Sequence, residues 1–363
     1  MKVRRLTWRT YRIPFRQTFV TSAGAQQVRA GAIVRLESCS GVYGLGEIAP
    51  LRAAPGALSH PLEVLLRSIT GMAVEQIPSA VQLADAAPEL AAAIRCGLDI
   101  AACDLAAKQA GVPVADLLGA RRRDVVAVNA TISASTPEQA AQSARRAVAA
   151  GFRCVKLKVG MMGGVGAECE LVGAVRDALG SDVLLRLDAN QGWTPPTAIQ
   201  TIRALEPFEI ELVEQPVAAA DLDGLAAVRR AVKVPIAADE AVTSPGTARV
   251  ICQMGAADVI VIKPMVVGGL RPAAEIIAHA ARAGIEAFVT TTIDTGVGIA
   301  AALHLAASFE GSRHCGLATA ELLESDLTSN APRAVAGMMA CSRQPGLGVE
   351  IDEAKAAPYL ERA

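Results

Sequence analysis

The stretch CVKLKVG, residues 154–160, sets two lysines one residue apart inside an apolar run. Val155, Leu157 and Val159 read as a buried strand. Lys156 and Lys158 then share one face, because strand side chains repeat every two residues. Outward from this stretch, short β-branched runs alternate with alanine-rich segments from Val125 on. The candidate strands are VVAVNATI (125–132), CVKLKV (154–159), VLLRLD (183–188), IELVE (210–214), PIAAD (235–239), DVIVIK (258–263) and EAFVTT (286–291). Between them, segments such as TPEQAAQSARRAVAAG (136–151) and RPAAEIIAHAARAG (271–284) have helical spacing. This regularity predicts a parallel sheet, and seven or eight units over about 200 residues match an α/β fold of the (β/α)8, TIM-like barrel type. An open nucleotide-binding sheet is the competitor, and no GxGxxG follows the first strand to support it.

Ahead of the barrel, residues 1–55 read as strands with turns at Gly44, Gly46 and Pro50, and residues 88–110 as a helix closed by Gly111 and Pro113. The expected division is an α+β unit over 1–118 and a barrel over 119–324, with residues 325–363 running back to the N-terminal strands. The 363 residues are 52% hydrophobic but only 3% aromatic, so the core must be built from Ala, Val, Leu and Ile. A net charge of -1 gives no electrostatic case for nucleic acid or an anionic membrane. No apolar run reaches the roughly 18 residues of a membrane span. No apolar segment follows the basic Lys2–Arg5 to make a signal peptide. The eight cysteines are scattered without paired spacing, which reads as free thiols in a reducing cytoplasm. The four histidines form no metal pattern.

The chemistry lies at the strand ends. Asp188, Glu214, Asp239 and Lys263 each close a strand, at intervals of 26, 25 and 24 residues, and Lys158 stands 30 before Asp188. One interval is one strand–helix unit, so these groups emerge together at the C-terminal rim, where barrel active sites sit. Three converging carboxylates require a counter-charge, and an all-oxygen set favours Mg2+. Repulsion between Lys156 and Lys158, the metal charge and partial burial predict a neutral amine, which is a general base. Lys263, on the sixth strand, faces the second across the barrel. Asn190 is placed to orient a ligand or the metal's surroundings, and Glu240 to pair with a lysine. Asp294, in TTTIDTGVG (290–298), either tunes Lys263 or caps the helix starting near Gly298. That segment also suits a helix N-terminus binding an anion. GMMGGVG (160–166) lacks the GK[ST] ending of a phosphate loop and reads as a mobile loop.

With these residues the chain resembles the enolase superfamily, in its muconate-lactonizing subgroup. The family pattern appears as Lys156-Leu-Lys158, Asp188-Ala-Asn190, Glu214-Gln-Pro, Asp239-Glu240 and Lys263. Pairing a lysine or histidine base with Mg2+ is a known property of that superfamily. The resemblance implies Asp188, Glu214 and Asp239 as Mg2+ ligands, with Mn2+ as a substitute, and Lys158 and Lys263 as acid/base groups on opposite faces of an enolate. It also implies an N-terminal domain capping the barrel mouth, with a specificity loop from Thr18 to Gly24 that includes Thr21 and Ser22. It implies a homo-oligomer acting on a small-molecule carboxylate. No histidine ends the sixth or seventh strand, which disfavours the mandelate racemase branch. Gly46–Leu51, Ile13-Pro-Phe15 and His314–Thr319 look most like o-succinylbenzoate synthases, which dehydrate their substrate in menaquinone biosynthesis. Muconate cycloisomerases, N-succinylamino acid racemases and dipeptide epimerases share much of these motifs. The Asp-x-Asp signature of many dipeptide epimerases does not appear in TTTIDTGVGIAAALHLAA. A barrel without catalysis, kept for binding, is the alternative of a different class.

Overall fold

The computed structural model describes residues 1–21, 24–51, 62–63, 69–77, 86–119, 121–134, 136–161 and 163–361. Strands β1 (Val3–Thr21), β2 (Gly24–Ser38) and β3 (Tyr43–Ile48) form an antiparallel sheet in that order. The helix Pro88–Ala110 packs on β3 and is buried almost all round through Ala, Cys, Leu and Ile. Glycines on both partners let the backbones touch. A Cβ on Gly46 would overlap the Gly97 carbonyl oxygen, and one on Gly97 would overlap Ile48.

The barrel strands are β5 (Ala130–Ile132), β6 (Cys154–Lys158), β7 (Leu184–Asp188), β8 (Ile210–Glu214), β9 (Ile236–Ala238), β10 (Val259–Ile262) and β11 (Glu286–Val289), paired in sequence order. Their pairings are parallel. The run 125–132 is two strands rather than the one expected. Its first part, β4 (Val125–Ala127), also pairs antiparallel with β12 (Met338–Ala340). Residues Cys315 and Gly316 supply the eighth stave. Gly316 N donates to Val289 O at 2.9 Å, and Cys315 N to Ala127 O at 2.8 Å. This stave is too short to show a period, and Gly316 is needed because a side chain there would overlap Thr290.

The C-terminal segment bonds to β1. Tyr359 O accepts from Arg12 N at 2.8 Å, Thr10 O accepts from Glu361 N at 3.0 Å, and Arg9 pairs with Glu353 at 2.7 Å. Each of the eight cysteines is free. No described helix is long and apolar enough to cross a membrane.

A buried histidine joins the pieces beneath the barrel. His304 Nδ1 accepts from Ala115 N at 3.2 Å and lies 3.3 Å from Cys341 Sγ, so Nε2 carries the hydrogen toward Leu347 O at 3.1 Å. A proton on Nδ1 would face the Ala115 N–H. Burial pushes this imidazole down to about 4. A depressed histidine stabilises the fold fully above its unfolded value and loses that contribution as pH falls. Unfolding free energy is therefore expected to fall by up to about 3 kcal/mol between pH 6.5 and 4. Urea titrations across that window check this, and a His304→Gln variant with the same slope would refute it.

Candidate active site

Strand register brings the rim residues together. Lys158 is level with Asp188, Asp188 with Glu214, and Glu214 with Ala237, so Asp239 projects two residues further along β9's direction on the same face. Oxygens of Asp188, Glu214 and Asp239 all lie within 4.8 Å of one another, and all three residues are buried. Lys156 Nζ lies 2.9 Å from Asp188 and 3.1 Å from Glu214. Lys158 Nζ donates to Asp188 Oδ2 at 2.7 Å and to Asn190 Oδ1 at 2.6 Å. Lys263 pairs closely with Asp239. β6 and β10 stand four staves apart in a ring of eight, so Lys158 and Lys263 approach from opposite sides as expected.

The acids dominate the electrostatics of the two flanking lysines. Burial opposes charge on Lys156, but Asp188, Glu214 and Asp239 outweigh it and hold the amine well above its ordinary value. Lys263 is raised in the same way, against burial, by Asp239, Glu240 and Glu214. In both, the carboxylates outweigh burial and the neighbouring lysine. Burial likewise opposes ionisation of Asp188, yet Lys156 and Lys158 hold it far below the carboxylate range. Glu214 goes the other way. Burial and then Asp188 push it up to about 8.

Glu214 Oε2 is buried and has no hydrogen-bond partner among the described residues. An orphaned carboxylate oxygen facing two other buried carboxylates fits a hard divalent cation. The three acids would be its protein ligands, in place of the lysine ammonium groups that now balance them.

The flanking residues are placed as follows. Asn190 Nδ2 donates to Glu240 Oε1 at 3.0 Å, so Asn190 bridges Lys158 and Glu240. Glu240 accepts from this amide, and its charge also acts on Lys263. Gln215 carries no sequence signal beyond the Glu-Gln-Pro motif. Its Oε1 accepts from Asp239 N at 2.9 Å and Ala241 N at 3.1 Å, which fixes the Asp239 backbone. Thr21 ends β1, Thr18 lines the cavity at the barrel mouth, and Ser22 lies outside the described residues. In the 160–166 segment, Gly160 N donates to Glu168 Oε1 at 2.8 Å, Met161 lines the cavity, and Met162 lies outside the described residues.

Asp294 does not cap the helix that follows it. It accepts from Thr292 Oγ1 at 2.6 Å and faces Arg29 NH2 at 3.8 Å. The helix Gly296–Ala307 is capped instead by Glu47 of β3, which accepts from Thr295 N at 2.9 Å, Gly298 N at 2.8 Å and Tyr11 Oη at 2.5 Å. Asp326 takes Gly296 N at 2.8 Å. Buried protein carboxylates thus fill the site proposed for an external anion. Arg29 Nε also donates to Ile293 O at 2.8 Å, bracing a β-branched residue at φ 64°. The sequence signal was the Gly46-Glu47 pair, whose partner lies 248 residues away at Thr295.

Residues 3–119 match the mandelate racemase/muconate lactonizing enzyme N-terminal domain, and residues 139–355 the enolase C-terminal domain-like family. The chain belongs to the enolase superfamily, in its muconate-lactonizing subgroup. A hydrophobic dipeptide epimerase of Enterococcus faecalis is 34% identical over 355 residues, covering 96% of this chain and 99% of that protein. An o-succinylbenzoate synthase of Thermobifida fusca is 41% identical over 239 residues, covering 64% of this chain and 73% of that protein. The crystal structure of a dipeptide epimerase from E. faecalis V583 with Mg and the dipeptide L-Leu-L-Tyr superposes with a TM-score of 0.89. It is 33% identical and covers 96% of this chain and 100% of that one. This superfamily member is an enzyme of magnesium-dependent α-proton abstraction, on an (β/α)8-type barrel with an N-terminal capping domain.

Proposed function

We propose that Lys158 removes the proton α to a substrate carboxylate, that Lys263 acts from the opposite face, and that Asp188, Glu214 and Asp239 hold Mg2+. Bound there, Mg2+ supplies the positive charge that stabilises the developing enolate. Asn190 keeps the Lys158 amine at the rim while its other amide end is tied to Glu240. Once protonated, Lys158 donates to the departing β-hydroxyl, and Lys263 steadies the anionic intermediate as a cation. The net change is loss of water across the α and β carbons.

The best substrate reading is 2-succinyl-6-hydroxy-2,4-cyclohexadiene-1-carboxylate, dehydrated to o-succinylbenzoate. Similarity over 239 residues to an o-succinylbenzoate synthase, at 41% identity, carries it. A cavity of about 1040 Å³ opens beside Lys158, with Phe15, Arg16 and Thr18 on its described lining. Full-length similarity to the E. faecalis dipeptide epimerase supports a second reading, in which both lysines exchange the α-proton of a dipeptide.

An ultraviolet assay with Mg2+ and the cyclohexadiene substrate separates the two. Formation of the aromatic product, abolished by EDTA, supports dehydration. Absence of product, together with solvent deuterium entering the α-carbon of a recovered dipeptide, supports epimerisation and rejects the first reading.

A further inference from the structure

Lys158 and Lys263 are held by different parts of the molecule. Beyond Lys158, Gly160 N is bound by Glu168, within the barrel. Beyond Lys263, the chain makes one short helical turn (Pro264–Val267), passes Gly268 at φ 93° and Gly269 at φ 135°, and enters the helix Leu270–Arg282. That helix has no side-chain cap of its own at Gly269. The cap comes from the Pro88–Ala110 helix of the capping domain. Asp99, fully buried, accepts from Leu270 N at 2.7 Å and Arg271 N at 3.1 Å. Its other oxygen lies 3.2 Å from Arg271 Nε. Gly269 is required there, since a Cβ would lie 2.5 Å from Asp99 Oδ2. From β3's end, Ala49 N donates to Met265 Sδ at 3.3 Å. The six-residue link from Lys263 to its first fixed helix is thus gripped from outside the barrel at both Met265 and Leu270.

We propose that Asp99 is a positioning residue for Lys263: by capping the helix after the 264–269 turn, the capping domain sets where the Lys263 amine stands. This rests on the reading of Lys263 as a reacting group, but the geometric claim can be tested without turnover. Circular dichroism and thermal melts establish that each variant is folded before labelling. Full-length parent, Asp99→Asn and Asp99→Ala proteins are treated with a trace amine-acylating reagent, and modification of Lys263 and Lys158 is quantified by peptide mass spectrometry. Asp99→Ala is expected to change the Lys263-to-Lys158 ratio several-fold. Asp99→Asn, which keeps an acceptor for Leu270 N, is expected to restore it. An unchanged ratio in folded Asp99→Ala protein overturns the proposal. In turnover assays, Asp99→Ala is expected to lower kcat about 10- to 100-fold with little change in KM. That loss should disappear in a Lys263→Ala background, and equal losses in both backgrounds would assign Asp99 a merely structural role. A shifted labelling ratio in a protein with no turnover would fault the reading of function while leaving the positioning intact.

Discussion

Lys158→Ala is expected to lower turnover by about 10⁴-fold or more, since the one amine acts as base and then as acid, and each role contributes roughly 10²–10⁴-fold. The substitution removes one of the two ammonium groups at Asp188, while Lys156 remains 2.9 Å away. Mg2+ affinity should therefore be unchanged or tighter, which separates lost chemistry from lost metal. Lys158→Arg is not expected to rescue, because a guanidinium stays protonated. Steady-state kinetics with calorimetric Mg2+ titration read both quantities. Turnover within tenfold of the parent would end the mechanism. The same comparison at Lys263 divides the two readings. Dehydration needs Lys263 only as a fixed cation, whereas epimerisation fails equally without either lysine.

Glu214→Gln is expected to lower Mg2+ affinity by at least about 100-fold and to take turnover below detection, a larger loss than the 10- to 100-fold seen for residues that only support a ligand. The amide keeps the shape but removes a charge, and it places an N–H or a weaker acceptor where Oε2 has no partner among the described residues. Metal-free stability should move the opposite way. Burial and Asp188 push the Glu214 carboxyl up to about 8, so its ionised form costs the fold free energy. That cost is absent below the unfolded value of 4.5, builds as pH rises from there to about 8, and is constant above it. The metal-free variant should then unfold at higher temperature than the parent near pH 8, with the advantage shrinking toward pH 5. Saturating Mg2+ should reverse the order by binding only the parent's intact site. A variant that binds Mg2+ as tightly as the parent would remove Glu214 from the ligand set.

Most of the site was legible because it sits at regular places. Asp188, Glu214, Asp239 and Lys263 recur once per strand–helix unit, and the period of two in β6 puts Lys156 and Lys158 on one face. Such patterns follow from local backbone geometry, which a sequence carries directly. The pull of the acids on Lys156 was not legible. It depends on the distances to three carboxylates from three other strands, and these outweigh the repulsion visible within its own strand. Asp294 illustrates the same limit. Its neighbours in sequence pointed to a helix cap, while the cap comes from Glu47 and the partner of Asp294 is Arg29.

The sequence by itself determined the alternating barrel and the acids and lysines at its rim. Periodicity and strand length specify these, and each is decided within a few tens of residues. Only the tertiary structure decided that residues 125–132 divide between two sheets and that Cys315 and Gly316 close the ring. It also decided that Glu47 and Asp99 of the capping domain cap barrel helices whose own residues provide no side-chain cap. Those features consist of hydrogen bonds between segments far apart in the chain. Their free energy arises only when packing excludes water from both partners, and no local pattern records it.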